Sequence, residues 1–407
     1  MTAAQKTSQR PGYDAIFERC VDDASFLWFQ RCRALTRADY THQDVDEIDR
    51  RLQANLQVLQ LSSELSFEFA SEGYSLGDAG YMFVAAIQAF NNAKASLIER
   101  VLEDCRQMPE LRAGLFSALG WMPGAMVHPW IKKFFLSKDD YLRLVGVASC
   151  SVRRENPGAH LNRLVENASS LDDTELSMRV GRLSGEVKRQ DLLPVLIEAR
   201  QTDGAKAFLA HWSAILLGDR TGMDAFQSFV TTESEWQGHA IDIAFRCLPD
   251  TSASRAWINE LAGKSKREQV IKATGVLGDP QTIPWLLVQM RDVQLARIAG
   301  EAFSNITGID LQKEMLCQAE TAAAEEDDDQ DDSLPLPNPT LVENFWSAAG
   351  SHMPAGVRHF SGKMLSSAHL LEVYRTGNQR QRKSAALQLA LQSNQQRLLN
   401  HAKPSFL

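Results

Sequence analysis

The sequence has few of the residue spacings that metal and redox sites need. Its six cysteines form no Cys-x-x-Cys pair, and its nine histidines form neither a His-x-x-x-His motif nor a His-Glu dipeptide. Zinc knuckles, dithiol redox motifs and helical zinc signatures depend on such spacings. We therefore expect no metal and no cofactor, and we interpret the cysteines as reduced thiols in helices.

Motifs for phosphate loops and nucleophiles are also missing. Five residues instead of four separate Gly356 from Gly362, and Met364 stands where Ser or Thr would follow Lys363. The segment 181–185 does not meet Gly-x-Ser-x-Gly. No catalytic residue is proposed, and the sequence does not indicate an enzyme.

His239, Asp242 and Cys247 are near one another in sequence, and a helix would place the first two on similar faces. A Cys-His dyad needs a rigid pocket built from distant segments. An ordinary helix surface is the preferred interpretation.

The chain also lacks a basic surplus and a long apolar run. Its 43 basic residues face 51 acidic ones, giving a net charge of −8, which argues against a large nucleic-acid footprint but leaves a local basic groove possible. The longest apolar run, near residues 81–87, falls short of the roughly 20 residues that span a bilayer. Residues 1–12 are polar, unlike a signal peptide, and are predicted to be a disordered tail. We expect a cytoplasmic protein with no membrane insertion.

Helical periodicity is the dominant positive signal, and it is clearest in residues 275–308. The tetrapeptide Leu-Gly-Asp-Pro at 277–280 has the chemistry of a turn that starts a helix. Apolar residues then recur at three- and four-residue steps and predict two packed helices. Their predicted buried faces contain Ile283, Leu286, Leu287 and Met290, then Leu295, Ile298, Ala299, Ala302 and Phe303.

Similar turns recur along the chain at spacings of 29–34 residues. They lie at Gly120, Arg154, Gly185, Gly218, Pro249 and Gly278. Each unit resembles a HEAT repeat, a pair of antiparallel helices that needs stacked copies to bury its apolar face. The predicted fold is all-α: an α-solenoid of HEAT-like helical hairpins, with a unit of about 30–34 residues and a helical N-terminal segment.

Five regions follow from this pattern. After the tail come a helical N-terminal region (13–108), the repeat array (109–318), an acidic, proline-containing linker (319–340) and a C-terminal helical region that closes the array (341–407). In the N-terminal region, Thr41 and Asp44 predict a capping box. Phe26, Leu27 and Phe29 are predicted to dock the first helix on the array.

The linker contains eight acidic residues and no basic one, which leaves 43 acidic and 43 basic residues elsewhere. Self-repulsion and proline favour a solvated linker. An alternative is that it folds back on the basic cluster formed by Arg375, Arg380, Arg382 and Lys383, which Arg358, His359 and Lys363 could join.

The whole chain resembles an uncharacterised bacterial family of HEAT-repeat proteins associated with type VI secretion gene clusters. The resemblance is carried by Asp22-Asp-Ala-Ser-Phe-Leu-Trp28 with Arg31, Ile48-Asp-Arg-Arg-Leu52, Gly278-Asp-Pro280 with Ile283-Pro-Trp-Leu286, Ala296-Arg-Ile-Ala-Gly-Glu-Ala-Phe303 with Ile306-Thr-Gly308, and Gly377-Asn-Gln-Arg-Gln-Arg382 before Ala385-Ala-Leu387. It implies a secretion-linked adaptor, chaperone or immunity role and supplies no catalytic residues.

Our first hypothesis is a non-catalytic protein-binding scaffold, an adaptor or chaperone for a type VI effector or spike component. One alternative is an immunity protein that blocks a toxin; another is a HEAT-like DNA glycosylase or lyase-type enzyme. The second helices of the units are expected to line the concave, partner-binding face. The candidate contacts are Arg143, Arg179, His211, Trp212, His239 and Arg297, with Arg380 and Arg382 as separate candidates.

Overall fold

The computed structural model describes residues 13–166, 174–318, 331, 333–349 and 353–407. It confirms the all-α, solenoid-like architecture. The predicted tail (1–12) and residues 319–330 and 332 of the acidic linker lie outside the described residues.

The helices follow one another with short connections. The N-terminal region contains α1 (Asp14–Ala34), α2 (His42–Leu59), α3 (Ser63–Tyr74), α4 (Ala79–Asn91) and α5 (Ala95–Gln107). The array continues with α6 (Arg112–Trp121), α7 (Gly124–Leu136), α8 (Asp140–Arg153), α9 (Ala159–Glu166), α10 (Thr174–Glu186), α11 (Leu193–Ala199), α12 (Gly204–Leu216), α13 (Met223–Thr231), α14 (Gln237–Cys247), α15 (Thr251–Lys264), α16 (Arg267–Leu277), α17 (Ile283–Gln289) and α18 (Ala296–Thr307). The C-terminal region contains α19 (Pro339–Ala349), strands β1 (His359–Phe360) and β2 (Lys363–Met364), α20 (Ser367–Thr376) and α21 (Gln379–Gln392). Short 3-10 turns lie at Gln60–Ser62, Pro109–Leu111, Gln190–Leu192 and Pro280–Thr282.

The hairpin predicted at residues 275–308 forms as α17 and α18, and the apolar residues predicted for its two faces are buried. Gly278 ends α16 in the left-handed region with φ +74°. Asp279 then caps the next turn by accepting from the Gln281 amide at 3.1 Å. The turn chemistry of the sequence therefore explains the local structure.

The array is held by a series of inner helices, α4, α6, α8, α10, α12, α14, α16 and α18, each packed against the next. This series includes α4, so the stacking begins before residue 109. Close approach needs small residues: a Cβ on Gly275 would lie 3.0 Å from the Cβ of Ala302 on the neighbouring inner helix. One apolar cluster runs from α1 to the turn before α11, and others fill the later units.

In the N-terminal region, the predicted capping box is present, since Thr41 and Asp44 exchange side-chain-to-backbone hydrogen bonds at the start of α2. The docking role predicted for three residues of α1 holds for Leu27, which is buried. It is wrong for Phe26 and Phe29, whose side chains are 64% and 54% exposed. The helix buries its other side, which leaves these two rings facing solvent.

The C-terminal region does not simply add one more helix pair at the end of the array. It lies across several units, because α21 packs against α12 and α14 while β1 contacts α18. The last residues continue to the N-terminal half, where the Phe406 ring meets Trp121 edge-on at 5.1 Å. The residues after Asn400 are therefore attached to the array.

The described end of the acidic linker also packs against the array. Leu334 is 2% exposed in the cluster of the last units, and the Gln318 amide donates to the Leu336 carbonyl at 2.9 Å. This packing differs from the solvated linker predicted for the segment. Asp331 makes the alternative fold-back contact, since it accepts from Arg380 Nη1 at 2.9 Å.

Candidate functional site

The C-terminal region runs along the C-terminal ends of the inner helices. The last carbonyls of a helix have no partner within it, so they need donors from elsewhere. Arg358 donates to the carbonyls of Arg246 and Leu248 at 3.1 and 2.8 Å, and Asn400 donates to that of Val152 at 2.8 Å. The C-terminal region thus covers a row of helix ends and encloses cavities beneath it.

One of these cavities, of about 720 Å³, lies where residues 400–407 cross α1, α6, α8 and α10. We call it the arginine cavity. Its cationic lining residues are Arg31, Arg153, Arg154, Arg179, Arg182 and Lys403. Two carboxylate side chains, those of Glu155 and Glu186, are among its described lining residues. The cavity lining is therefore mainly cationic, although the whole chain has a net charge of −8.

Glu186 lies in the cavity wall and binds two of its arginines. Its side chain is fully buried at the end of α10 and accepts from Arg182 Nε at 3.0 Å and from Arg154 Nη1. Arg154 has φ +55°, in the left-handed region that follows α8. The Nε of Arg154 is buried without a hydrogen-bond partner among the described residues.

Arg179 and Arg182 lie three residues apart on α10. Each commits its Nε to a carboxylate, that of Glu175 for Arg179 and that of Glu186 for Arg182, at 3.0 Å in both cases. The guanidinium of Arg179 lies 4.8 Å from the centre of the Phe116 ring, and that of Arg182 lies 5.6 Å from Trp212. Carboxylate and ring together hold each guanidinium in place.

Two histidines near the arginine cavity have lowered pKa values, because they are buried and lie close to several cations. Burial, followed by the cations Lys383, Arg154, Arg382 and Arg31, lowers the pKa of His401 to about 3. Burial, with Lys383 and Arg182, also lowers the pKa of His239. Both imidazoles are therefore neutral at pH 7.

Smaller spaces continue the cavity along the inner helices. A space of about 90 Å³ shares Arg154, Arg182 and His401 with the arginine cavity and also contains Trp212 and His239. A further space of about 540 Å³ shares His239 with it and reaches Glu301, Asp331 and Arg380. The described lining of this last space has four carboxylates and four cationic side chains, and this balance differs from the cationic excess in the arginine cavity.

The structure brings four of the candidate contact residues to these spaces, and one of them, Arg380, lines the space of about 540 Å³. Arg179 lines the arginine cavity, Trp212 lines the small space, and His239 lines both smaller spaces. Arg143 lies apart and donates to Asp140 and to the Ser137 carbonyl, both at 2.8 Å.

The other candidates serve the fold. His211 is 5% exposed, packed near Phe226 and Phe229. Arg297 donates to the Leu334 carbonyl. His211 is therefore enclosed, whereas Arg297 is half-buried with one guanidinium nitrogen bound to the backbone.

Arg380 and Arg382 are also bound internally. Arg380 donates to Glu301 and Asp331, both at 2.9 Å, and to the Thr36 carbonyl at 3.0 Å. Arg382 is 4% exposed and donates to the Tyr374 carbonyl at 2.8 Å. Arg380 and Arg382 are therefore part of a junction that joins the C-terminal region to α18 and to the loop after α1.

Sequence reasoning missed Arg153, Arg154 and Arg182. One signal was available at Arg154, which stands at a repeat turn where Gly278 stands in a later unit. An arginine at a position that favours glycine suggests that its side chain has a role.

The sulfur of Cys247 lies 3.9 Å from that of Met223, and no described contact joins it to His239. Among the described residues, no group of three or more His, Cys, Asp or Glu side chains is arranged to hold a metal ion. No helix in the described part of the chain is long and apolar enough to cross a membrane.

Comparisons of the chain with protein-family models, with curated proteins and with solved structures find no significant match.

Proposed function

We propose that this protein is a non-catalytic scaffold that holds a protein partner, and that the partner is a type VI secretion effector or spike component. The partner class comes from the family resemblance, and an adaptor or chaperone role is preferred to an immunity role. The solenoid-like stack of helix pairs supports the scaffold role, because such stacks offer long contact surfaces.

The exposed rings of Phe26 and Phe29 are the observation that carries the proposal. They lie three residues apart on α1, and so on one side of that helix. Aromatic side chains are frequent anchors of protein interfaces. The ends of the inner helices, in contrast, are covered by the C-terminal region. We therefore move the expected partner surface from the inner helices to the outer side of α1.

Affinity purification of the tagged protein from its own host tests this surface. The wild type is compared with the double variant Phe26→Gln, Phe29→Gln and with a matched variant, Leu76→Gln, which removes an isolated apolar side chain that is 89% exposed. The proposal expects one effector or spike protein to be captured stoichiometrically by the wild type and by Leu76→Gln. The double variant should lose it without losing thermal stability.

Capture that survives in the double variant would contradict the role of α1, and capture of nucleic acid instead of protein would contradict the scaffold. Co-expression with the captured effector then separates the two secretion roles. Neutralised toxicity favours immunity, whereas unchanged toxicity with improved delivery favours the adaptor.

A further inference from the structure

The arginine cavity contains donors that the fold does not use. Arg179 and Arg182 make hydrogen bonds to described residues only through Nε, so the Nη groups of both remain available. Arg153 differs, since its Nη1 caps the carbonyls of Leu119 and Met122 at 3.1 and 2.8 Å. Arg153 therefore has a structural role, because it caps a helix end. Arg179 and Arg182 make no such capping bond among their described contacts.

The turn after α8 adds an independent observation. Gly278 and Gly308 follow later inner helices with φ of +74° and +73°, and a Cβ at either would collide with residues 359–361. Arg154 and Lys188 adopt the same left-handed conformation with φ +55° and +59°. A non-glycine residue there costs roughly 1–2 kcal/mol.

The side chains at these two turns explain why glycine is absent. Lys188 donates to the carbonyls of Leu216 and Ala390 and so ties α21 to the array. Arg154 extends into the arginine cavity, where it meets Glu186 and keeps Nε without a partner among the described residues. The strained turn therefore places a cation beside Arg182.

The chemistry of the lining selects the ligand. Guanidinium groups match carboxylate and phosphate geometry, and several together favour phosphate, which offers three oxygens and up to two charges. Six cationic side chains line the cavity together with the carboxylates of Glu155 and Glu186. Arg31 and Arg179 also pair with the carboxylates of Asp49 and Glu175 outside the lining. The cavity therefore favours an anion through the guanidinium donors that these pairs leave unused. The volume of about 720 Å³ is within the range of small-molecule sites and exceeds what a free phosphate fills.

We propose that the arginine cavity binds a small phosphorylated organic molecule, whose phosphate is held by the Nη groups of Arg179 and Arg182 together with Arg154. Arg182 has a side chain that is 49% exposed, which leaves the phosphate site open to solvent. Phe406, also half-exposed, lines the same cavity and gives the organic part an apolar wall. This inference is independent of the partner surface on α1.

Calorimetric titration of the full chain with AMP, pyrophosphate and inorganic phosphate tests the proposal. We expect AMP and pyrophosphate to bind, AMP more tightly than inorganic phosphate, because only AMP supplies an organic part. The double variant Arg179→Met, Arg182→Met should weaken the binding of AMP about tenfold or more, since it removes charged hydrogen bonds. The control Arg143→Met removes one positive charge from α8 outside the cavity and should leave the Kd unchanged.

A charge-conserving variant separates a loss of AMP binding from a loss of folded protein. Arg182→Lys keeps the positive charge but loses the planar fork, so it should weaken AMP binding while thermal unfolding stays close to that of the wild type. Absence of binding by AMP and pyrophosphate would overturn the proposal. So would binding that is equally weakened by Arg143→Met, or binding of an acidic decapeptide to the wild type in place of the phosphates.

Discussion

Arg380 and Arg382 at the start of α21 can be compared with Arg179 and Arg182 on α10, because both are arginine pairs on predicted helices. The first pair is committed to Glu301, Asp331 and backbone carbonyls. In the second pair, the Nε of each guanidinium is bonded to a carboxylate. The Nη nitrogens of both make no hydrogen bond to a described residue. The same residue type therefore serves the fold in one place and is available to a ligand in the other.

The largest expected effect comes from Arg380→Met. It removes the cation that bonds Glu301, whose side chain is 18% exposed, and leaves that carboxylate beside Asp331, which keeps its ion pair with Lys272 at 3.2 Å. Removal of one partner from such a buried pair costs about 3 kcal/mol or more, so denaturant unfolding should show a loss of that size. A loss below about 1 kcal/mol, the value typical of exposed pairs, would contradict the structural role of Arg380.

The next effect tests how closely the C-terminal region approaches the array. In Gly278→Ala the new Cβ would lie 2.2 Å from the His359 carbonyl oxygen, at a φ of +74°. Strain and the forced shift should cost about 2–3 kcal/mol in denaturant unfolding.

Gly263→Ala is the matched control for that variant, because its added Cβ meets nothing within 4 Å in α15. It should stabilise the protein by at most about 0.5–1 kcal/mol, since alanine has a higher helix propensity than glycine and Gly263 lies in the last turn of α15. Equal effects of the two variants would mean that the β1 segment does not lie against Gly278.

A smaller effect is the pH dependence of the free energy of unfolding. It tests whether His211, which the sequence predicts as a partner contact, is buried as the structure shows. Burial, then Arg200, lowers the pKa of His211 to about 4, below its ordinary value of about 6.5. The unfolded chain therefore takes up the proton first, and stability present above pH 6.5 is lost as the pH falls towards 4. Between pH 8 and 5 this loss amounts to about 2 kcal/mol.

His211→Phe keeps an aromatic ring near Phe226 and removes the titration. Denaturant unfolding of the variant should therefore lose about 2 kcal/mol less than the wild type between pH 8 and 5. The same pH dependence in both proteins would contradict the account, because it would show that folding does not lower the pKa of His211.

The smallest effect completes the comparison between the two arginine pairs. Arg182→Met is the same substitution as Arg380→Met, but its side chain is half-exposed and Glu186 keeps Arg154 as a partner. The free energy of unfolding should change by less than about 1 kcal/mol. A loss as large as that of Arg380→Met would place Arg182 in the fold and weaken the ligand hypothesis.

The units of the array could be predicted from sequence because each unit is formed by contacts between helices that are close together in the chain. The buried faces of α17 and α18 follow from apolar spacing, and Gly278 and Asp279 carry the turn between units. The course of residues 353–407 could not be predicted, since it depends on contacts with helix ends more than a hundred residues away, such as Arg358 with the Leu248 carbonyl.

The candidate site was predictable only in part for the same reason. Arg179 was found from its helix face, but nothing in its sequence distinguishes it from Arg380. The difference arises from the partner at each guanidinium: Glu175 and a ring for one, and two carboxylates with a carbonyl for the other. Phe26 and Phe29 show the converse, because apolar residues in a helix are normally expected to be buried.

Thermal unfolding of the double variant Arg179→Met, Arg182→Met, with and without AMP, tests the central claim most directly. A ligand at 100 times its Kd stabilises the folded state by about 2.7 kcal/mol, so AMP should raise the Tm of the wild type. The account predicts that the variant without AMP unfolds within about 2 °C of the wild type and that AMP no longer raises its Tm. An AMP-induced rise that persists in the variant, or a large fall in Tm without ligand, would contradict it.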